Sequence, residues 1–266
     1  MTQEEITEFR RGQYEALKAA YKLFGHGDLM KFWLFEEHRC IDKWVHYFPI
    51  YEQWFSPYRG KEIVFVEIGV QNGGSIQMWR DYFGKDAKIV GVDIEANCKQ
   101  FEDANNNIFV EIGSQEDPDF WRAFREKYPR VDILLDDGGH LSNQQIVTFR
   151  EMFPHIKDGG LYMCEDCHTS YWDLVVTKTE TGERKLLQHG GVGDDGTFIE
   201  FTKKLVDELN AFHAGEKFPL TYNTLNMGGI HFYTSVVVVE KKQIPFEPFD
   251  LRIGKETPVF PFADAL

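Results

Sequence analysis

The sequence predicts an α/β fold in which an open, mostly parallel sheet has helices on both faces and follows an N-terminal helical extension. Apolar, β-branched runs alternate with amphipathic helical segments from residue 62 onward, and the connections between them are short. Because crossovers between parallel strands are right-handed, this alternation places helices on both faces of the sheet. The 266 residues, 42% of them hydrophobic, are enough for a large core.

The alternating segments have the lengths and end signals of ordinary strands and helices. We predict strands at 62–69, 87–94, 107–113, 131–137, 159–166 and 229–242, and helices at 75–83, 117–128, 143–156 and 197–212. Ser75 is a suitable N-cap for the first of these helices, and Pro118 suits the first turn of the second.

Changes in composition predict the domain boundaries. Residues 1–60 are aromatic and of mixed charge, which indicates a helical extension. The alternating pattern defines a domain at 61–245, and a Pro- and Phe-rich tail covers 246–266. Within the domain, the polar, glycine-rich stretch 177–196 is either a solvated loop or a mobile lid over the site.

Charge and hydropathy limit the partners of the chain. A formal net charge of -14 argues against nucleic-acid binding and favours a small-molecule partner. The first residues are charged and helix-patterned, without an apolar run of signal-peptide length, and no stretch reaches the ~18–20 apolar residues of a membrane span. We therefore expect a cytoplasmic protein with no membrane partner.

The pentapeptide CEDCH at 164–168 permits several interpretations. Cys-x-x-Cys-His is the pattern of covalent haem attachment, and Cys-x-x-Cys alone is typical of a redox pair or of half a zinc site. The expected cytoplasmic location argues against haem attachment, and the sequence has no second cysteine pair to complete a zinc site. We therefore interpret Cys164 and Cys167 as small buried residues that flank two functional acids, Glu165 and Asp166.

Residues at the ends of the first three strands indicate a cofactor site, because ligands of an open parallel sheet bind beyond the carboxyl ends of its strands. The first strand runs into EIGVQNGGS, where glycines permit a tight turn and a helix N-terminus offers free N–H groups. Asp93 ends the second strand, where a carboxylate would bind the hydroxyls of a ribose. GSQED ends the third strand and would reach an adenine edge.

This pattern predicts an adenosine-containing cofactor and leaves two of them open. NAD and S-adenosylmethionine both fit a glycine loop with a spaced acid. Gln71 stands where the dinucleotide fingerprint has its second glycine, and the acidic Glu67 disfavours a pyrophosphate but suits a cationic amine. The alternative is a tight strand–helix turn that binds no ligand.

The fourth and fifth strands end in acids. LLDDGGH places Asp136, Asp137 and His140 at one strand end, and CEDCHTSYW places Glu165 and Asp166 at the next. Neighbouring parallel strands lie ~4.8 Å apart, so these carboxylates would converge and require a proton or a cation. Oxygen ligands suit Mg²⁺, Mn²⁺ or Ca²⁺. Because side chains alternate along a strand, we expect Asp137 and Asp166 at the ion, with Glu165 facing it only if the strand is irregular. In the alternative interpretation these acids cap turns and His140 is a turn histidine.

Four stretches in this order, FVEIGVQNGGSIQMWRDYF, GVDI, DDGGH and CEDCHTSYW, resemble class I S-adenosylmethionine-dependent methyltransferases. More narrowly, they resemble the metal-dependent sugar O-methyltransferases of macrolide tailoring, such as mycinamicin and macrocin O-methyltransferases. The resemblance covers about residues 42–242, and its most diagnostic part is DDG-x-H together with ED-x-HTSYW. It implies a Rossmann-like, doubly wound, mostly parallel seven-stranded sheet.

The resemblance also implies roles for individual residues. His140 would be the general base, and Asp137, Asp166 and Glu165 would hold Mg²⁺ (or Mn²⁺), so that Asp137 is catalytic as well. The residues expected to bind S-adenosylmethionine are Glu67, Gly69, Ser75, Asp93, Gln115 and Asp136. The resemblance implies self-association through N-terminal helices. Gly139 stands where the family often has serine.

Together these features predict a metal-assisted O-methyltransferase that acts on a hydroxyl of a sugar or a sugar-containing small molecule. The metal would stabilise the developing alkoxide while His140 accepts its proton. Tyr171, Trp172 and the aromatic N-terminal segment would shape a sugar-sized pocket, although core packing is the commoner use of such residues. Three alternatives stay open: a non-sugar acceptor such as a phosphoramidate, a nicotinamide-dependent oxidoreductase, and a non-catalytic cofactor-binding protein.

Overall fold

A computed structural model describes residues 2–24, 27–178, 184–251 and 253 of the chain. Its helices are α1 (Gln3–Phe24), α2 (Asp28–Phe35), α3 (Phe48–Phe55), α4 (Gly74–Phe83), α5 (Pro118–Lys127), α6 (Ser142–Met152), α7 (Phe198–Leu209) and α8 (Tyr222–Asn226). Its strands are β1 (Val64–Ile68), β2 (Lys88–Asp93), β3 (Ile108–Ile112), β4 (Val131–Asp136), β5 (Ile156–Cys164), β6 (Leu174–Lys178), β7 (Arg184–His189), β8 (Met227–Tyr233) and β9 (Val236–Lys241).

Seven of these strands form the main sheet, in the order β3-β2-β1-β4-β5-β9-β8. β1 to β5 are mutually parallel, whereas β9 runs antiparallel to β5 and β8 antiparallel to β9. The predicted seven-stranded, mostly parallel, doubly wound sheet is therefore confirmed. The strand order reverses at β1, which lies between β2 and β4, and a crevice for ligands opens at such a reversal.

Alternating residues of the central strands pack into two separate cores. Phe65 faces a core that contains Trp79 of α4 and the aromatic side chains of α3, whereas its neighbour Val66 faces a core with Trp121 of α5 and Phe149 of α6. This alternation is the expected geometry of a strand buried on both faces. The helical N-terminal extension therefore covers one face of the sheet, and its residues 40–47 reach the carboxyl ends of the strands.

The predicted single strand at 229–242 is wrong. The structure divides this stretch into β8 and β9, which reverse direction at Thr234 and Ser235. Ser235 has a left-handed backbone with φ of 65°, the conformation that glycine or asparagine would normally mark in a sequence. Because neither residue stands there, the apolar run on both sides of the turn reads as one strand.

The stretch 177–196 is only partly described. β6 and β7 pair in a separate two-stranded antiparallel sheet, so residues 184–189 are a strand and not a loop. Residues 179–183 lie outside the described residues, as do 252 and 254–266 of the expected tail. The lid at 177–196 and the boundaries of the extension, the domain and the tail stay predictions.

Candidate active site

A cavity of about 740 Å³ opens at the carboxyl ends of β1, β2 and β4. Its walls come from the glycine-rich turn after β1, the end of β2 and the turns that follow β3, β4 and β5. Residues 40–44 of the N-terminal extension form a further wall. The cavity therefore lies at the strand-order reversal, where the sequence predicts a ligand.

Asp93 fixes the shape of the glycine-rich turn. Its carboxylate accepts hydrogen bonds from the backbone N–H groups of Val70 (2.9 Å), Gln71 (3.0 Å) and Glu95 (2.9 Å). Gly69 has φ of 95°, and a Cβ there would overlap the carbonyl oxygen of Asp137. This close approach joins the turns after β1 and β4 in a way that only glycine permits.

The start of α4 differs from the prediction. The N-cap is Gly73, with φ of 73°, and the helix begins at Gly74, so the predicted N-cap Ser75 lies inside the first turn. The hydroxyl of Ser75 donates instead to Glu67, over 2.6 Å. Gly73 has a left-handed backbone where the chain enters the helix, and a serine with this backbone conformation would be strained.

Four of the six predicted cofactor residues line the cavity, namely Gly69, Ser75, Asp93 and Gln115. Glu67 and Asp136 lie behind its wall and are fully buried, and burial raises the pKa of each carboxyl group. Their oxygens accept from protein groups: Glu67 from Ser75 and from Trp79 (2.9 Å), and Asp136 from Gln115 (2.9 Å). This placement favours a supporting role for these two acids over a direct contact with a ligand.

Gln115 connects the end of β3 to the turn after β4. Its side-chain oxygen accepts from the backbone N–H of Gly139 at 2.7 Å, while its side-chain nitrogen donates to Asp136. Both ends of the amide thus hold the residues on either side of Asp137. The polar end of β3 therefore positions the acid at the end of β4.

Asp137, His140 and Asp166 converge beside the cavity. One ligand atom from each lies within 4.8 Å of the others. Asp166 has a left-handed backbone with φ of 52°, which ends the regular strand alternation after Cys164. For this reason both Glu165 and Asp166 line the cavity, although adjacent residues of a regular strand point to opposite faces.

Glu165 is held apart from this group by two donors. The Tyr51 hydroxyl and the Lys43 ammonium, the latter at 3.1 Å, both donate to its carboxylate. Lys43 also donates to Asp137 and lies 3.5 Å from Glu67. Burial alone would lower the pKa of Lys43, but the Asp137, Glu165 and Glu67 carboxylates raise it well above its ordinary value. Burial raises the pKa of Glu165, against the opposing effect of Lys43.

Sequence reasoning assigned the aromatic N-terminal segment to the acceptor pocket but missed the contacts of residues 43–51 with the acids. The Tyr47 hydroxyl donates to Asp166 at 2.7 Å and lies 2.9 Å from the Ser235 hydroxyl, and burial raises the pKa of this phenol. Tyr47 and Tyr51 are four residues apart, a spacing that places both side chains on one helical face. The spacing of the two tyrosines could have indicated that they act together, but nothing in the sequence indicates a role for Lys43.

An aromatic row extends from the acids toward solvent. The ring of Trp44 lies 5.8 Å from that of His168, which lies 5.2 Å from that of Trp172. Trp44 and Trp172 are 55% and 49% exposed, so these rings are not core residues. Tyr171 is also half-exposed, but it lines a second, apolar cavity with Cys167 and His168.

The residues at the converged site fit a divalent cation. Carboxylate oxygens are the ligands that Mg²⁺ and Mn²⁺ prefer, and the imidazole of His140 lies beside the two carboxylates. The Nδ1 atom of His140 is buried and has no hydrogen-bond partner among the described residues. Cys164 and Cys167 are free and buried in the core, which confirms that they are small buried residues beside the acids.

Comparison with known proteins identifies the domain that contains this site. Residues 66–167, from β1 to the turn after β5, match the family described as "Methyltransferase domain". The chain contains a methyltransferase domain. The matched residues include every residue predicted to bind the cofactor or the metal or to act as base, and the match favours methyl transfer over nicotinamide chemistry.

Curated relatives of the methyltransferase domain act on glycosylated natural products. The chain is 34% identical over 215 residues to 8-demethyl-8-alpha-L-rhamnosyl tetracenomycin-C 2'-O-methyltransferase of Streptomyces olivaceus, covering 76% of this chain and 52% of that protein. It is 31% identical to demethylmacrocin O-methyltransferase of Streptomyces fradiae, covering 75% of this chain and 50% of that protein. The chain thus spans about half the length of the curated relatives it matches.

A solved structure shares the fold. The MycE methyltransferase of mycinamycin biosynthesis, in complex with Mg, SAH and mycinamycin VI, aligns with a TM-score of 0.66 and 26% identity. The alignment covers 82% of this chain and 54% of MycE.

In the part of the chain that the structure describes, no helix combines the length and apolar character needed to cross a membrane.

Proposed function

We propose that the chain is an S-adenosylmethionine-dependent, divalent-metal-assisted O-methyltransferase that acts on a hydroxyl of a sugar or a sugar-containing small molecule. The observation that carries this proposal is the convergence of Asp137, His140 and Asp166 beside the cavity of a methyltransferase domain. The relatives' names support a sugar hydroxyl as the acceptor, because two of them specify the 2' and 3' oxygens of a rhamnosyl tetracenomycin-C.

The cofactor would lie along the glycine-rich turn. Gly69 and Ser75 line the cavity where a helix N-terminus offers backbone N–H groups to a carboxylate. Asp93 lies at the end of β2, where the ribose hydroxyls would bind, and Gln115 lines the far side. Glu67 and Asp136 would support these residues from behind the wall.

Asp137, Asp166 and Glu165, which all line the cavity, would hold Mg²⁺ or Mn²⁺. When bound, such an ion stabilises the alkoxide that develops on an acceptor hydroxyl. His140 would accept the hydroxyl proton, since an imidazole is suited to proton transfer near neutral pH. Asp166, 3.5 Å from the Nε2 atom of His140, would orient the ring and stabilise its protonated form.

The aromatic row of Trp44, His168 and Trp172 would bind the acceptor. Flat rings suit the apolar faces of sugars, and the half-exposed rings of Trp44 and Trp172 are free to contact them. The row starts at Trp44, which also lines the cavity that contains the acids. A sugar stacked there would present its hydroxyls toward Asp137 and His140.

Mass spectrometry of reaction mixtures tests the proposal. The purified chain, S-adenosylmethionine and a panel of glycosylated small molecules are incubated with Mg²⁺ or with EDTA, and we expect a methyl gain on a sugar only with Mg²⁺. Asp137→Asn should keep its affinity for S-adenosylhomocysteine and lose the stimulation by Mg²⁺. Transfer that EDTA does not reduce would refute the metal role, and transfer to non-sugar acceptors alone would refute the acceptor class.

Three further predictions belong to this proposal. We expect a cytoplasmic protein, no binding of nucleic acid, and self-association through the N-terminal helices. Light scattering during size-exclusion chromatography measures the third, and a monomer at micromolar concentration would contradict it.

A further inference from the structure

Gln188 of β7 connects the small two-stranded sheet to the turn that carries His140. Its side-chain oxygen accepts a hydrogen bond from the backbone N–H of Ser142 at 2.5 Å, and its side-chain nitrogen donates to the backbone carbonyl of Thr169 at 3.1 Å. Ser142 is the first residue of α6 and follows the turn after β4, whereas Thr169 lies in the turn after β5. One side chain of the small sheet thus contacts both turns of the acid-rich edge.

The hydroxyl of Thr169 continues this connection to His140 itself. It donates to the backbone carbonyl of His140 at 2.6 Å and lies 3.1 Å from the carbonyl oxygen of Asp166. Thr169 is buried, so these contacts are shielded from water. An unbroken path of hydrogen-bonding residues therefore leads from Gln188 through Thr169 to His140.

The position of the His140 ring depends on its backbone. The Nδ1 atom has no hydrogen-bond partner in the described part of the chain, so no contact at this atom orients the ring. The backbone has φ of 57°, a conformation that histidine keeps only where the surroundings hold it. Displacement of this turn would therefore displace the ring.

Three glutamine side chains hold the backbone N–H groups of this turn. Gly139 donates to Gln115, Leu141 to Gln144 and Ser142 to Gln188. The first two glutamines belong to the matched methyltransferase domain, whereas Gln188 comes from the two-stranded sheet. Because a two-stranded sheet is only marginally stable by itself, its place on the domain depends on contacts such as those of Gln188.

The residues after Gln188 pack closely against the same segment. The N–H of Gly191 donates to the Ser170 carbonyl at 2.9 Å, and a Cβ at Gly190 would lie 2.6 Å from that carbonyl oxygen. The end of β7 is thus fixed against residues 169–172, which connect the acids to the aromatic row.

We propose that Gln188 is a positioning residue, which sets the geometry of His140 by holding the turns after β4 and β5 together from the two-stranded sheet. The inference rests on the proposed methyl transfer, in which His140 accepts the proton. Gln188 is not among the residues that line the cavity, so its effect reaches the acceptor through His140. A displacement of about 1 Å at a reacting group costs about 100-fold in rate.

Gln188→Met tests the role of the amide, because methionine has a similar size and forms neither hydrogen bond. With the acceptor that gains a methyl group in the panel above, we expect kcat to fall about 10- to 100-fold. The acceptor KM and the affinities for Mn²⁺ and S-adenosylhomocysteine should change by less than about twofold. Gln53→Met is the control, since Gln53 donates to the Tyr233 hydroxyl at 3.0 Å and lines neither cavity, and its kcat should be unchanged.

Thr169→Val and Thr169→Ser test the path from Gln188 to His140. Valine keeps the shape of threonine without its hydroxyl, so kcat should fall as in Gln188→Met, and serine should restore most of it. Residues of one hydrogen-bond network are not additive, so the double variant Gln188→Met/Thr169→Val should lose less than the product of the two single losses. Losses that multiply would overturn this path.

Hydrogen exchange of the Ser142 amide measures the contact of Gln188 without an acceptor. The N–H groups of a first helical turn have no partner within the helix, so the Gln188 oxygen protects this amide. Exchange at Ser142 should be about tenfold faster in Gln188→Met. The amide of Leu141, which donates to Gln144, should exchange at an unchanged rate.

The outcomes separate this inference from the proposed function. Unchanged kcat or unchanged Ser142 exchange in Gln188→Met would overturn the inference and leave the proposed function intact. A fall in Mn²⁺ or S-adenosylhomocysteine affinity as large as the fall in kcat would indicate general disruption of the site and would also overturn it. Absence of methyl transfer by the unmodified chain to every acceptor would refute the proposed function and, with it, the inference.

Discussion

The Nε2 atom of His140 lies 3.5 Å from the Oδ2 atom of Asp166, and both residues have a left-handed backbone, with φ of 57° and 52°. Left-handed non-glycine residues are uncommon and cost backbone strain, which accumulates at functional sites. The turns after β4 and β5 thus hold two side chains face to face in conformations that neither residue prefers. The surrounding contacts, including that of Tyr47 with Asp166, maintain this arrangement.

Asp166→Asn should lose function without loss of stability. Asparagine tolerates the left-handed backbone and still accepts the hydrogen bond from Tyr47, but it lacks the negative charge. Even the loss of a residue that only hydrogen-bonds to a metal ligand lowers metal affinity or activity by about 10- to 100-fold. We therefore expect both the Mn²⁺ affinity and the turnover of Asp166→Asn to fall at least about tenfold. Asp166→Ala should lose the same function and also about 1–2 kcal/mol of unfolding free energy. Unaltered Mn²⁺ affinity in Asp166→Asn would exclude this acid as a ligand.

His140→Asn separates a proton acceptor from a metal ligand. Asparagine again suits the left-handed backbone, so the turn should be preserved. If His140 is the base, turnover falls about 10²- to 10⁴-fold while affinities for Mn²⁺ and S-adenosylhomocysteine change by less than about twofold. His155→Asn is the control, because its Nε2 atom lies 2.7 Å from the Tyr128 carbonyl, remote from the cavity. A parallel loss of Mn²⁺ affinity would make His140 a ligand instead.

Gly69→Ala should be more destabilising than Gly84→Ala. Both glycines have left-handed backbones, with φ of 95° and 83°, so each alanine costs about 1–2 kcal/mol. A Cβ at Gly69 would also overlap the carbonyl of Asp137, which adds about 1–3 kcal/mol, whereas a Cβ at Gly84 meets no atom within 4 Å. Urea unfolding measures the difference, and S-adenosylhomocysteine binding should be lost only in Gly69→Ala. Equal destabilisation would contradict the close approach of the two turns.

Lys241 should make stability depend on pH. Burial lowers the pKa of Lys241 to about 8, below its value of about 10.4 in an unfolded chain. Between these values the unfolded chain binds more protons, so the stability contributed by Lys241 rises with pH. In thermal unfolding experiments, the stability of the unmodified chain relative to that of Lys241→Met should therefore increase as the pH rises from about 7.5 to 9.5. The exposed Lys242→Met controls for loss of a lysine, and a pH-independent difference for Lys241→Met would refute the assignment.

Trp44→Ala should weaken acceptor binding alone. Loss of one aromatic contact is worth about 0.5–1.5 kcal/mol, so the acceptor KM should rise about two- to tenfold with no change in S-adenosylhomocysteine affinity. Phe9→Ala, on α1 and 59% exposed, removes an exposed ring elsewhere and should have no effect. An unchanged acceptor KM in Trp44→Ala would remove this ring from the acceptor site.

The sequence alone predicted the parts of this protein that local pattern controls. Apolar alternation located β1 to β5 and the helices between them within a few residues. The acids of LLDDGGH and CEDCH could be assigned to one edge because parallel neighbours bring their carboxyl ends together. The hairpin of β8 and β9 escaped prediction because its turn lacks the residues that usually mark one.

Only the tertiary structure decided which groups meet at that edge. Lys43 and Asp137 are 94 residues apart, and no periodicity or motif relates an N-terminal lysine to a strand end. Packing of the extension on one sheet face brings Lys43, Tyr47 and Tyr51 to the acids, and the left-handed Asp166 turns its carboxylate toward His140. Strand ends follow from short-range pattern, whereas the pairing of charges depends on contacts between distant segments that form only when the chain folds.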